Sequence, residues 1–188
     1  MKYLLENSGI PKTRQRTIQL IPDSVDYDQF LRLQKYKDTI QNHVQCGDNL
    51  FICGGTGNGK TSWAIKILLK YFDEVWAGNG LRIRGLFVHV PTLLLQLKDF
   101  NNPLLEEYKD SLLTADLVVW DEIGTAISNY DFSQLIMFLD SRLLNDKSNI
   151  YTSNLTTREE LCRTLGERLM SRLNASSTKI VLKGRDRR

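Results

Sequence analysis

The sequence predicts an α/β fold, a five-stranded parallel sheet sandwiched between helices. Three observations carry this. Short apolar runs alternate along the chain with stretches of helical period, and strands alternating with helices form a parallel sheet covered on both faces. Gly54-Gly55-Thr56-Gly57-Asn58-Gly59-Lys60-Thr61 stands between an apolar run and a helical stretch, the context that a G-x-x-x-x-G-K-[ST] loop requires. A later apolar run, Leu117-Val118-Val119-Trp120, ends in Asp121-Glu122.

Taken in order, residues 1–48 read as an N-terminal extension with a lead-in helix, and 49–188 as the core with a basic C-terminal tail. Gly9-Ile10-Pro11 and Ile21-Pro22-Asp23 are turn signals, since proline pushes its predecessor toward extended backbone. Phe30, Leu31, Leu33, Tyr36 and Ile40 predict a helix from about Tyr27 to Gln45, stopped by Gly47. Asn49-Leu50-Phe51-Ile52-Cys53 is the first strand, and the helix after the loop offers Trp63, Ile65, Ile67, Leu68 and Leu69 to the core. Ala77-Gly78-Asn79-Gly80 is a turn before the second strand, Leu86–Val90. A leucine-rich helix begins at Pro91-Thr92, and Asn102-Pro103 restarts helix with Glu106 and Glu107 in its opening turn.

Leu117–Trp120 is the third strand, continuous in apolar residues as a strand covered on both faces should be. Phe132, Leu135, Ile136, Leu139 and Leu143 give one helical stripe from about Asp131 to Leu144. Asn149–Ser153 is the fourth strand, followed by Asn154. Thr156 and Glu159 fit a capping box, a helix runs from about Glu167 to Leu173, and Lys179–Leu182 is the last strand.

Composition bounds the function. At 188 residues, with 41% hydrophobic and 25% charged content, the chain suits one globular domain with a core large enough to need no staples. A net charge of +3 does not by itself demand a nucleic-acid partner. Lys12, Arg14 and Arg16 near the start, and Lys183, Arg185, Arg187 and Arg188 at the end, fit either solvated tails or phosphate backbones. Cys46, Cys53 and Cys162 lack C-x-x-C spacing, and Cys53 reads as a buried thiol. His43 and His89 read as structural. With no signal peptide and no long apolar stretch, a cytoplasmic protein without membrane contact is expected.

The chemistry points to a P-loop NTPase. Glycines let backbone N–H groups curl around a phosphate. Lys60 supplies a cation to the outer phosphates, Thr61 a hydroxyl to Mg²⁺, and the helix beginning near Ser62 adds positive potential. ATP and Mg²⁺ are therefore the expected ligands of Gly54–Ser62. Asp121 ends its strand as a magnesium-holding carboxylate does, and Glu122 beside it is placed to accept a proton from attacking water. Asn154 follows the neighbouring strand and fits a contact to the γ-phosphate or that water. Arg168 and Arg172 are four apart on one helix, so they share a face that is either solvated or phosphate-directed.

In order, Gly54–Thr61, Val118–Gly124, Tyr151-Thr152-Ser153-Asn154-Leu155-Thr156 and Gly166–Leu173 resemble the AAA+ ATPases of bacterial replicative helicase loaders, the DnaC/DnaI type. Gly9-Ile10-Pro11-Lys12 looks like the stretch leading into their ATPase domain. The resemblance runs from about Ser8 to Leu182. It implies an AAA+ core without a C-terminal lid, with Walker A at Gly54–Thr61, Walker B at Asp121 and Glu122, and sensor 1 at Asn154. It also implies an arginine finger at Arg172, supported by Arg168, that reaches a neighbour's ATP. The implied function is an ATP-hydrolysing loader in DNA replication, with hexameric replicative helicase and single-stranded DNA as partners and self-association through the ATP site. DNA contact falls in that family on the insert matching about Pro91 to Thr114. The family usually carries a further N-terminal domain that grips helicase, whereas this chain starts where the ATPase domain starts, which would suit a phage or prophage version. A transposition helper of the IstB type shares these motifs, and a non-hydrolysing adaptor or decoy is the remaining alternative.

Overall fold

The computed structural model describes residues 1–15, 20–22, 24–75, 82–98, 104–124 and 129–186. The expected turn at Ala77–Gly80, the helix restart at Asn102-Pro103, Asp23, and the cations Arg16, Arg187 and Arg188 lie outside them. In chain order the elements are α1 (Lys2–Glu6), α2 (Tyr27–Asp38), α3 (Ile40–Cys46), β1 (Asn49–Gly54), α4 (Lys60–Glu74), β2 (Gly85–His89) and α5 (Val90–Gln96). There follow α6 (Leu104–Thr114), β3 (Leu117–Asp121), α7 (Asn129–Leu144), β4 (Ser148–Ser153), α8 (Arg158–Leu165), α9 (Glu167–Ser176) and β5 (Ser177–Leu182).

The five strands form one sheet in the order β2-β3-β4-β1-β5, every neighbouring pair parallel. β1, β3 and β4 are buried along their whole length, and the strand period explains the apolar runs of β1 and β3. Leu50 and Ile52, Leu117 and Val119, with Phe87, face α1 to α4. Phe51 and Cys53, Val118 and Trp120, with Leu86 and Val88, face α5 to α9. Alternate residues go to opposite faces, and here both faces are covered. Leu4, Ile10, Leu33, Tyr36 and Ile40 share a cluster with Trp63 and Tyr71 of α4, so residues before the first strand build the same core as those after it. A fully buried leucine or isoleucine in that cluster is worth about 2 kcal/mol.

Three of the boundaries that differ from expectation have a local cause. The helix expected from Tyr27 to Gln45 breaks at Thr39 (φ −117°, ψ 22°), whose hydroxyl donates to the Lys35 carbonyl at 3.0 Å. That local bond competes with helix continuation. α3 then ends at Gly47 with φ 71°, as the glycine predicts. α4 outruns Leu69 because Tyr71 and Phe72 extend its buried face. The capping box sits one residue later: Thr157 accepts from Glu160 N at 3.2 Å, while Glu160 accepts from Thr157 N at 3.3 Å. Thr-Thr-Arg-Glu-Glu satisfies the motif twice, so the pattern alone could not choose.

His43 is structural as expected, stacked on Tyr36 with ring centroids 3.9 Å apart and bonded to Asp48 at 2.8 Å. Cys53 is fully buried; its thiol, pushed up by burial, donates weakly to the Ile180 carbonyl at 3.7 Å. The described cysteines are all free thiols. No helix among the described residues is long and apolar enough to cross a membrane.

Candidate functional site

Parallel pairing brings the carboxyl ends of β1, β3 and β4 side by side, and the loops leaving them enclose a cleft of about 440 Å³. Thr56, Gly57, Gly59, Lys60, Thr61 and Ser62 line one wall, and Asp121, Glu122 and Asn154 line it from the strand ends. These predicted residues therefore meet in one place.

The loop's shape is set from behind. Gly54 has φ 149°, and a Cβ there would lie 2.2 Å from the Leu182 carbonyl, so only glycine fits. Asn58 is buried and donates to that carbonyl at 2.8 Å. The Asn58 side chain thus braces the loop on β5 rather than facing the cleft. Lys60 caps the turn from inside: its ammonium donates to Gly54 O at 2.9 Å and Gly55 O at 2.7 Å.

Asp121 is the centre of the polar network. It is 3% exposed, and its Oδ1 accepts from Thr61 Oγ1 and from Thr152 Oγ1, each at 2.7 Å. Thr152 Oγ1 also accepts from Glu122 N at 3.0 Å, and Ile123 N donates to Thr152 O at 2.8 Å. These bonds hold Glu122 at φ 62°, a left-handed conformation unusual for a non-glycine residue and one that neighbouring structure must enforce. Its carboxylate is half exposed in the cleft, 3.3 Å from His89 Nε2, and His89 Nδ1 lies 2.8 Å from Thr92 Oγ1. Thr61 and Asp121 present a hydroxyl and a carboxylate, hard oxygens of the kind that hold Mg²⁺ beside phosphate. Among the described residues there is no group of three or more His, Cys, Asp or Glu that could hold a metal, so any ion here shares its shell with other ligands.

A profile of the family described as IstB-like ATP binding protein matches residues 24–185. The chain belongs to this family. No curated protein sequence matches it. Among solved structures, the DnaC helicase loader superposes with a TM-score of 0.77 at 22% identity, over 92% of this chain and 100% of that one. DnaI gives 0.74 at 19% identity, over 98% and 99%. AMPPCP-bound DnaA from Aquifex aeolicus gives 0.66 at 15% identity, over 86% and 48%. At these identities the superpositions establish the fold alone, an α/β core like those of DnaC and DnaA.

In this IstB-like protein Arg172, expected to reach a neighbour's ATP, lies outside the chain's own cleft walls and pairs with Asp140 of α7 at 2.5 Å. The Arg168 side chain lies outside the described residues. Two residues were missed by the sequence reading. Thr152 was legible only as a strand residue, although a hydroxyl in an apolar strand beside an acidic one is a usable signal. His89, expected to be structural, is the last residue of β2, stands in register with Asp121 and lines the cleft beside Glu122. The correction follows from strand order: β2 is the neighbour of β3, which no single sequence segment reveals.

Proposed function

We propose that this chain is a Mg²⁺-dependent ATPase of helicase-loader type, acting in DNA replication and assembling under ATP control with a replicative helicase and single-stranded DNA. The observation that carries the reading is the pair of 2.7 Å bonds onto Asp121 Oδ1 from Thr61 and Thr152, beside Lys60. That constellation suits a triphosphate with its metal. Loop N–H groups and Lys60 would bind the phosphates, with Thr61 and Asp121 as the protein ligands of Mg²⁺, which neutralises charge on the phosphate oxygens.

Glu122 accepts the proton as a water oxygen bonds to the γ-phosphorus and the bond to the bridging oxygen of ADP breaks. His89, held by Thr92, orients the Glu122 carboxylate, and Asn154 orients the water or the γ-phosphate. The DnaA structure that shares the fold holds AMPPCP, which supports a nucleotide in the same cleft here. The superposition on DnaC supports the loader role.

A second reading, a transposition helper, is favoured by the IstB-like profile itself. Co-purification decides between them: replicative helicase retained on the tagged protein supports the loader, and transposase in its place supports the helper. For the chemistry, Glu122→Gln should bind Mg-ATP in calorimetry within about threefold of wild type yet lose at least a hundredfold in turnover. Unchanged turnover in that variant removes Glu122 from the mechanism. Calorimetry showing that folded wild-type protein ignores Mg-ATP rejects the whole reading.

A further inference from the structure

We propose that Arg14, in the lead-in before the first strand, is a second cationic ligand for the nucleotide's outer phosphate, supplied by the same chain. The inference rests on the nucleotide reading and adds a residue that the loop motif does not contain.

The lead-in is fixed to the core ahead of Arg14. Phe87 N of β2 donates to Ser8 O at 2.6 Å, and Ile10 is 4% exposed. Gly9 has φ 74° and approaches Phe87 so closely that a Cβ would lie 2.5 Å from its carbonyl oxygen. A 3₁₀ turn over Lys12–Arg14 follows, closed by Arg14 N donating to Pro11 O at 2.8 Å and steadied by Gln15 Nε2 donating to Ile10 O, also at 2.8 Å. Further on, Leu20 Cδ2 lies 3.7 Å from where a Cβ of Gly59 would be. The start of the lead-in is thus bonded to β2, and Pro11 and Arg14 both line the cleft.

Charge completes the case. Among the described residues lining the cleft, the permanent cations are Arg14 and Lys60, against the carboxylates Asp121 and Glu122. Lys60 is already held by two loop carbonyls. The Arg14 guanidinium has no hydrogen bond or ion pair among the described residues. An exposed arginine on a loose tail would be solvated and inert, but this one is carried on a turn whose backbone is anchored, so a phosphate contact has to order the side chain but little of the backbone. A guanidinium fork matches phosphate oxygens in bidentate geometry. Magnesium-bound triphosphate still carries net negative charge, and Arg14 lines the same cleft as Glu122, beside which the transferring phosphate would lie. Loss of that phosphate would release Arg14, so the lead-in would read triphosphate against diphosphate.

The test compares wild type, Arg14→Ala and Arg14→Lys for binding of a non-hydrolysable Mg-ATP analogue and of Mg-ADP, with thermal unfolding of each. Arg14→Ala should weaken the triphosphate analogue roughly tenfold to a hundredfold and ADP less than about threefold, at an unchanged unfolding temperature; Arg14→Lys should recover part of the loss. An unchanged analogue affinity, or equal loss for both nucleotides, overturns the proposal; in the first case the lead-in cations are left to DNA phosphates or solvent. Wild-type protein that binds neither nucleotide removes the nucleotide reading and this inference together. Wild-type binding with an indifferent Arg14→Ala removes the inference alone.

Discussion

Arg142 shows how much a single side chain settles out of sight of the site. It is fully buried, and each of its three nitrogens donates to an oxygen: Nε to Asn149 Oδ1 at 2.6 Å, Nη1 to Leu112 O and Ala115 O at 2.7 and 2.8 Å, and Nη2 to Ser148 O at 2.7 Å. Burial pulls its pKa down to about 10, so it remains a cation at neutral pH. One guanidinium therefore joins the C-terminal carbonyls of α6 to the start of β4. Asn149 passes the link to Trp120 Nε1 at 3.0 Å and to Asn49 Oδ1 at 2.8 Å. Removing a partner from buried polar groups costs their desolvation. Arg142→Met should lose about 3 kcal/mol in urea unfolding, with Arg142→Lys failing to restore it because one ammonium cannot span four oxygens. A loss below about 0.5 kcal/mol would mean that water replaces the guanidinium. Nothing in the sequence around Arg142 marks it: its helical stripe is legible, but two of the three carbonyls it caps lie about 30 residues earlier in the chain.

Element ends, more than element existence, escaped the sequence. Apolar period sufficed to find every strand and the long helices. It could not choose between Thr156 and Thr157 as the cap of α8, because both have a glutamate three residues on. The structure uses Thr157. Thr157→Ala should cost about 1 kcal/mol in unfolding free energy, whereas Thr156→Ala should stay within about 0.5 kcal/mol. Equal effects from the two would show that the cap is shared. The break at Thr39 has the same character: the sequence offers a continuous stripe, and a threonine hydroxyl bonded back to Lys35 interrupts it where the chain must turn toward β4, meeting Ser148 Oγ at His43 O, 3.2 Å away.

At the scale of the molecule, the sheet has its phosphate loop, acidic strand end and Asn154 at one edge of the layer, while Arg172 lies elsewhere, paired with Asp140. An arginine outside its own cleft is free to serve phosphate in another subunit's. If it does, Arg172→Ala should cut ATPase activity at least tenfold at concentrations where wild-type activity rises with protein concentration, and change little at high dilution. Loss of activity independent of concentration would place Arg172 in an intramolecular structural role. The expectation of self-association through the ATP site stands or falls with that experiment.

The sequence by itself determined the nucleotide-binding loop and the layered α/β form, because both are written locally. A phosphate loop needs its glycines, lysine and threonine within eight consecutive positions, and a strand covered on both faces, such as β3, shows as a short continuous apolar run. Tertiary structure alone decided that β2 borders β3, which sets His89 beside Glu122 and Thr152 beneath Asp121. It alone carried Arg14 to the cleft wall and turned Arg172 from it. Strand order and the path of a lead-in are fixed by packing between residues far apart in the chain, and such contacts leave no periodic mark on the segments that make them.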